Sequence, residues 1–204
     1  YGNVLRGRGD YRGAVISYRK ALERQPDYLE ARGNLGVALQ EAGNAAAAIS
    51  CFEEEIASSP DDGATWTHLG VALAAQGRLV DAEQAHRKAI ALLPDSPDGY
   101  NNLGIVLKDQ GRLEEARGAY QRALECDPND AGVHSNLLMC LCYDPAIDAA
   151  ETITMHQQWA QRHAPERAIE PFDLSGAGPL RIGFLSLDFR EHSVAFFVDS
   201  IFAN

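Results

Sequence analysis

The sequence predicts a mainly α-helical protein: a right-handed superhelix of stacked helix pairs, followed by the first strand, loop and helix of an α/β lobe. Three observations predict it. Leu-Gly recurs at Leu35-Gly36, Leu69-Gly70 and Leu103-Gly104, with a step of 34 residues. Other residue types keep the same step from one end of the first 143 residues to the other. Near the end, RIGFLSLDFREHS (181–193) breaks the helical pattern and reads as a buried strand running into a polar loop.

The periodic marks come in order along each unit. Leucine recurs at Leu5, Leu39, Leu73, Leu107 and Leu141, and glycine at Gly9, Gly43, Gly77 and Gly111. Alanine recurs at Ala14, Ala48, Ala82 and Ala116, and proline at Pro26, Pro60, Pro94 and Pro128. Each mark has a physical role. The second set of glycines is expected to end the first helix of each pair in a left-handed conformation. The prolines stop the second helix. The Leu-Gly glycine and the later alanine are expected to face each other where two helices cross, because small side chains let backbones approach. The large apolar residues fill the seam between units, so stacking is obligatory. A 34-residue step with these marks resembles the tetratricopeptide repeat, a helix-turn-helix unit. Tyr1 then holds the seventh place of a unit, so the first helix is expected to be cut short and further repeats to lie upstream. The fifth unit keeps Asn136, Leu137 and Leu141, but Leu138 replaces glycine and Asp144-Pro145 breaks the pattern. The array is therefore placed at 1–143.

The residue before Leu-Gly is Asn34, His68 and Asn102, and Asn136 holds that place in the last unit. It lies on the first helix, on the expected concave side. Amides in a column can hydrogen-bond an extended peptide backbone without reading its side chains. A solvated polar face that favours Asn fits the spacing equally well. A clamp for an acidic peptide terminus would need several lysines on these helices, and only Lys108 is there.

Residues 144–179 form a transition. AAETITMHQQWAQRH (149–163) reads as one more helix, with His156 and His163 seven apart. Two histidines with no acidic third ligand read as surface residues, not as a metal site. Pro165, Pro171, Gly176, Gly178 and Pro179 then give a linker composition. Residues 180–187 are apolar on both faces, as in a parallel sheet covered on each side. Residues 193–202 read as the following helix, with Ser193 near its cap. Strand, loop and helix together open a Rossmann-like unit, whose ligands sit beyond the carboxyl ends of the strands. The loop lacks a G-x-G-x-x-G phosphate cradle, and His192 at its end can also be read as a helix cap.

Composition narrows the partners. Net charge is −11 from 18 basic and 29 acidic residues, with no run of Lys or Arg. Nucleic acid and anionic membranes both need a basic footprint, so neither is expected as a partner. Cys51, Cys126, Cys140 and Cys142 form no C-x-x-C pair, which favours reduced thiols and a cytoplasmic setting.

The tetratricopeptide units, HSNLLMCLCYDP (134–145), the helix with Trp159 and RIGFLSLDFREHSVAFF (181–197) together resemble the O-linked N-acetylglucosamine transferase family. HSVAFF is most similar to its bacterial and SPINDLY-type members. The resemblance implies a protein O-glycosyltransferase that moves a sugar from a nucleotide-sugar to Ser or Thr of proteins. It implies UDP-N-acetylglucosamine as donor, held mainly by a second lobe beyond residue 204, and no metal or other cofactor. The repeats would present acceptor proteins through Asn34, Asn102 and Asn136. His192 matches the family's active-site histidine, as general base or as a group that positions donor or acceptor. Ser193 stands where animal members commonly carry proline, which leaves fucose from a GDP-sugar as an alternative. With only 180–204 of the catalytic region, this chain alone is expected to be inactive. The alternative from another class is a plain scaffold for protein–protein interaction.

Overall fold

A computed structural model of the chain describes residues 1–144 and 147–163. They form ten α-helices and, among the described residues, no strand. In order these are α1 Gly2–Gly7, α2 Tyr11–Arg24, α3 Leu29–Glu41, α4 Ala45–Ser58 and α5 Gly63–Ala75. Then come α6 Leu79–Leu92, α7 Pro97–Asp109, α8 Leu113–Cys126, α9 Ala131–Cys142 and α10 Ala149–His163.

The turn inside each pair is built the same way four times. Gly9, Gly43, Gly77 and Gly111 have φ between +74° and +80°, which glycine adopts without a Cβ penalty. The amide after each glycine reaches back to the leucine of the periodic set: Asn44 N–H donates to the Leu39 carbonyl at 2.8 Å, and Arg112 N–H to that of Leu107 at 2.9 Å. This Schellman closure satisfies carbonyls that the helix end leaves free. The next helix begins at once. Asp10 and Asn44 cap α2 and α4 by accepting from Gly13 N–H and Ala47 N–H. The second helices end two residues before Pro26, Pro60, Pro94 and Pro128.

The expected glycine–alanine contact is corrected by the packing. A Cβ added to Gly2, Gly36, Gly70 or Gly104 would run into the ring of Tyr18, Phe52, His86 or Tyr120, at 2.4–2.6 Å. These rings are themselves 34 residues apart. The glycine makes room for a planar side chain sixteen residues on, not for the alanine at twelve. Ala14, Ala48, Ala82 and Ala116 are buried nevertheless.

Consecutive helices pack side by side, and α3, α5, α7 and α9 also touch in succession. No comparable contact joins the second helices to one another. The first helices therefore make the tighter, inner row of the superhelix and the second helices its outer row. The fifth unit is built differently. Tyr143, not glycine, closes α9, and α10 follows after six residues. Met155 and Trp159 of α10 pack against the core beside Leu138. Residues 164–204 lie outside the described residues. The linker, the 180–187 strand, the 193–202 helix and His192 fall there.

Candidate functional site

The inner row carries the four residues of the amide column. Asn34 is on α3, His68 on α5, Asn102 on α7 and Asn136 on α9, all half-buried. Three residues further along each helix, Val37, Val71, Ile105 and Met139 repeat an apolar position. Asn34 and Val37 line one cavity, so the polar column and the apolar strip share a face.

The column is not uniform. Asn34 Oδ1 accepts from Arg6 at 3.4 Å, and Arg6 also faces Glu41 at 3.9 Å. Asn136 donates from Nδ2 to Asn101 Oδ1 at 3.0 Å. The Asn102 side chain has no hydrogen-bond partner among the described residues. The sequence grouped three equivalent amides, and the structure distinguishes them by their bonds. His68 stacks on Phe52, with ring centroids 5.6 Å apart and planes 17° from parallel. Burial holds its pKa below the usual imidazole value. A neutral imidazole then offers one donor and one acceptor, close to what an amide offers.

Between α3, α4 and α5 the groove deepens into a cavity of about 210 Å³, bordered by Glu30, Asn34, Glu55, Asp62 and His68. Glu55 was not singled out by the sequence pattern. Its counterparts in the other units are Ala21, Ala89 and Ala123. The carboxylate lies over Gly33, where an added Cβ would come within 2.8 Å of Oε1. Gly33 in turn stands where the later units have Thr67, Asn101 and Ser135. Burial, with Asp62 nearby, holds the Glu55 carboxyl above its usual pKa. The signal was a paired break in the period.

The histidines of α10 separate. His163 Nε2 lies 2.8 Å from His134 Nδ1 on α9, whereas His156 Nδ1 contacts the carbonyl of Thr152 in its own helix. Among the described residues no three His, Cys, Asp or Glu gather as a metal site, and no helix is long and apolar enough to cross a membrane.

Family models described as tetratricopeptide repeat match residues 2–62 and 61–129. Residues 2–129 belong to the tetratricopeptide-repeat family. Solved structures agree on the fold. MamA is 22% identical with a TM-score of 0.70, over 79% of this chain and 94% of that one. TTC0263, a thermophilic tetratricopeptide protein of Thermus thermophilus, is 18% identical with a TM-score of 0.66, over 81% and 89%. YrrB, described as a tetratricopeptide protein with an unusual peptide-binding site, is 20% identical with a TM-score of 0.63, over 79% and 82%. At these identities the likeness is one of fold. No curated protein matches the chain.

Proposed function

We propose that the tetratricopeptide array is a protein-interaction scaffold that holds an extended segment of a partner in its inner groove. The observation that carries this reading is the shared face: a column of amide-like groups beside a strip of partly exposed apolar side chains. Such a face bonds a peptide backbone and covers alternate side chains. Asn102 is its best-placed contact, because among the described residues no bond competes for its side chain. Peptides selected from a random library against the whole chain test the idea. Binders of the groove are expected to weaken about tenfold in Asn102→Ala, a loss of roughly 1.4 kcal/mol, and to be blocked by a bulky Ile105→Trp. Selected peptides that tolerate both changes would place binding elsewhere.

A second reading rests on RIGFLSLDFREHSVAFF (181–197), which a plain scaffold does not need. On that reading the array presents acceptor proteins to a protein O-glycosyltransferase, with His192 at its active site and UDP-N-acetylglucosamine as donor. In a protein carrying the complete catalytic region, His192→Ala is expected to abolish sugar transfer while the array stays folded. Undiminished transfer would remove His192 from the chemistry.

A further inference from the structure

The helix α10 stands where the second helix of a fifth pair belongs, and it is held differently from the others. The second helices α2, α4, α6 and α8 each pack between two first helices, whereas α10, among the described residues, packs chiefly on α9. Its fit is incomplete. An open groove of about 420 Å³ runs between the two helices, lined by His134, Leu138, Met155 and Trp159 among others. The apolar contact of α10 with the core rests on Met155 and Trp159, so the apolar part of the docking is small.

Polar bonds at the last two turns of α10 complete it. Trp159 Nε1–H donates to the Ala131 carbonyl at 3.4 Å, and Arg162 donates to the Pro128 carbonyl at 3.2 Å. The third is the contact between His134 Nδ1 and His163 Nε2 at 2.8 Å, with the rings edge to face. Trp159 lies against His163, so the bond also sets the indole.

We propose that this histidine pair is a pH-operated latch that releases α10 from the last repeat in mild acid. A bond between two ring nitrogens needs one of them to accept, so one imidazole must lack a proton there. When each ring carries both protons, no acceptor remains and two cations are in contact. The surroundings offer no relief. On α10, Arg162 adds a positive charge, and His156 is bonded within its own helix. In the α8–α9 turn, Asp127 and Asp130 accept from the main-chain amides of Asn129 and Val133, and neither is bonded to a histidine ring. Burial, then the charges of His163 and Arg162, hold the His134 pKa below the usual imidazole value. The docked state thus binds fewer protons than the released one. Docking is complete above an ordinary imidazole pKa and is lost as pH falls below it. Release would uncover Leu138 and its neighbours on α9.

Hydrogen exchange of the whole chain from pH 8 to pH 5 tests the latch, after correction for the intrinsic pH dependence of exchange. In parallel, Trp159 emission is followed in a Trp66→Phe background. The expected result is at least a tenfold loss of α10 protection between pH 7 and pH 5, with a red-shifted indole; α3–α8 are compared in a His86→Phe background, where their protection should not change. His134→Gln keeps a donor and an acceptor but does not titrate, so its α10 should stay protected at pH 5. His156→Gln should follow the wild type. The proposal is overturned if α10 protection does not change with pH, if it is already absent at pH 8, or if His134→Gln shows the same loss as the wild type.

Discussion

His86 is the residue at which this array departs most from its own rule. It fills the ring position that Tyr18, Phe52 and Tyr120 fill in the other units, and it is 1% exposed. The Gly70 backbone leaves it just the space a ring needs. Its Nδ1 is buried with no partner among the described residues, and burial alone brings its pKa down to about 4. The folded chain therefore keeps His86 neutral, while the unfolded chain protonates it near 6.5. Stability is complete above that value and is lost as pH falls towards 4, by about 3 kcal/mol in all. His86→Phe copies the Phe52 arrangement and removes the titration. It is expected to raise stability at pH 7 by about 1–2 kcal/mol by removing an unsatisfied polar atom. The same change should flatten the denaturation midpoint between pH 6.5 and pH 4.5. A variant that loses stability with acid as steeply as the wild type would mean that other groups govern the acid limit. The sequence made the 34-residue step plain, yet hid the ring set, because Tyr, Phe and His do not read as one residue type. The eye is drawn to Leu-Gly, whose glycine matters only through the ring it accommodates.

At the scale of the element, helix ends were the most legible part. A glycine with positive φ and a proline two residues past a helix act locally, so their positions alone place the turns. What lies between units depends on side chains far apart in sequence. Glu83 on α6 accepts from Arg112 at 2.6 Å, from Arg87 at 2.8 Å and from Gln110 at 3.2 Å. Gln110 also donates to the Leu79 carbonyl at 3.2 Å. This ties α6 to the α7–α8 turn at one point in the array. Burial raises the Glu83 pKa, but its three donors outweigh that and keep the carboxyl below the usual range. Arg78 and Arg112 also stand where Asp10 and Asn44 cap, and each bonds an acid three residues on, Asp81 and Glu115. Charge pairing replaces capping in the third and fourth units. None of this has a periodic signature. Likewise α10 was legible as a helix, but its docking through His134 was not, since the pairing of His163 crosses 29 residues.

For the whole molecule, stacking decides which parts open first. Each first helix is covered by the pair before it, and the cover can be followed at a single repeating position. Ala38, Ala72, Val106 and Cys140 are at most 1% exposed. A stack of this kind behaves as a chain of units coupled to nearest neighbours, so a unit with one neighbour opens more readily than a unit with two. Free energies of local opening should therefore be lower at α10, which among the described helices packs chiefly on α9, than at α5–α7. The Glu83 cluster adds to the central values by coupling α6 to the α7–α8 turn. In the groove, Asn102 lies on the helix whose end the Glu83 cluster ties down, while Asn34 and Asn136 are held by bonds of their own. Native-state hydrogen exchange at pH 8, where the α10 latch is closed, reads the gradient directly. Amides of α5–α7 are expected to exchange at least a hundredfold more slowly than those of α10. Uniform protection from α5 to α10 would show that the array opens as one cooperative body and that nearest-neighbour coupling does not govern it.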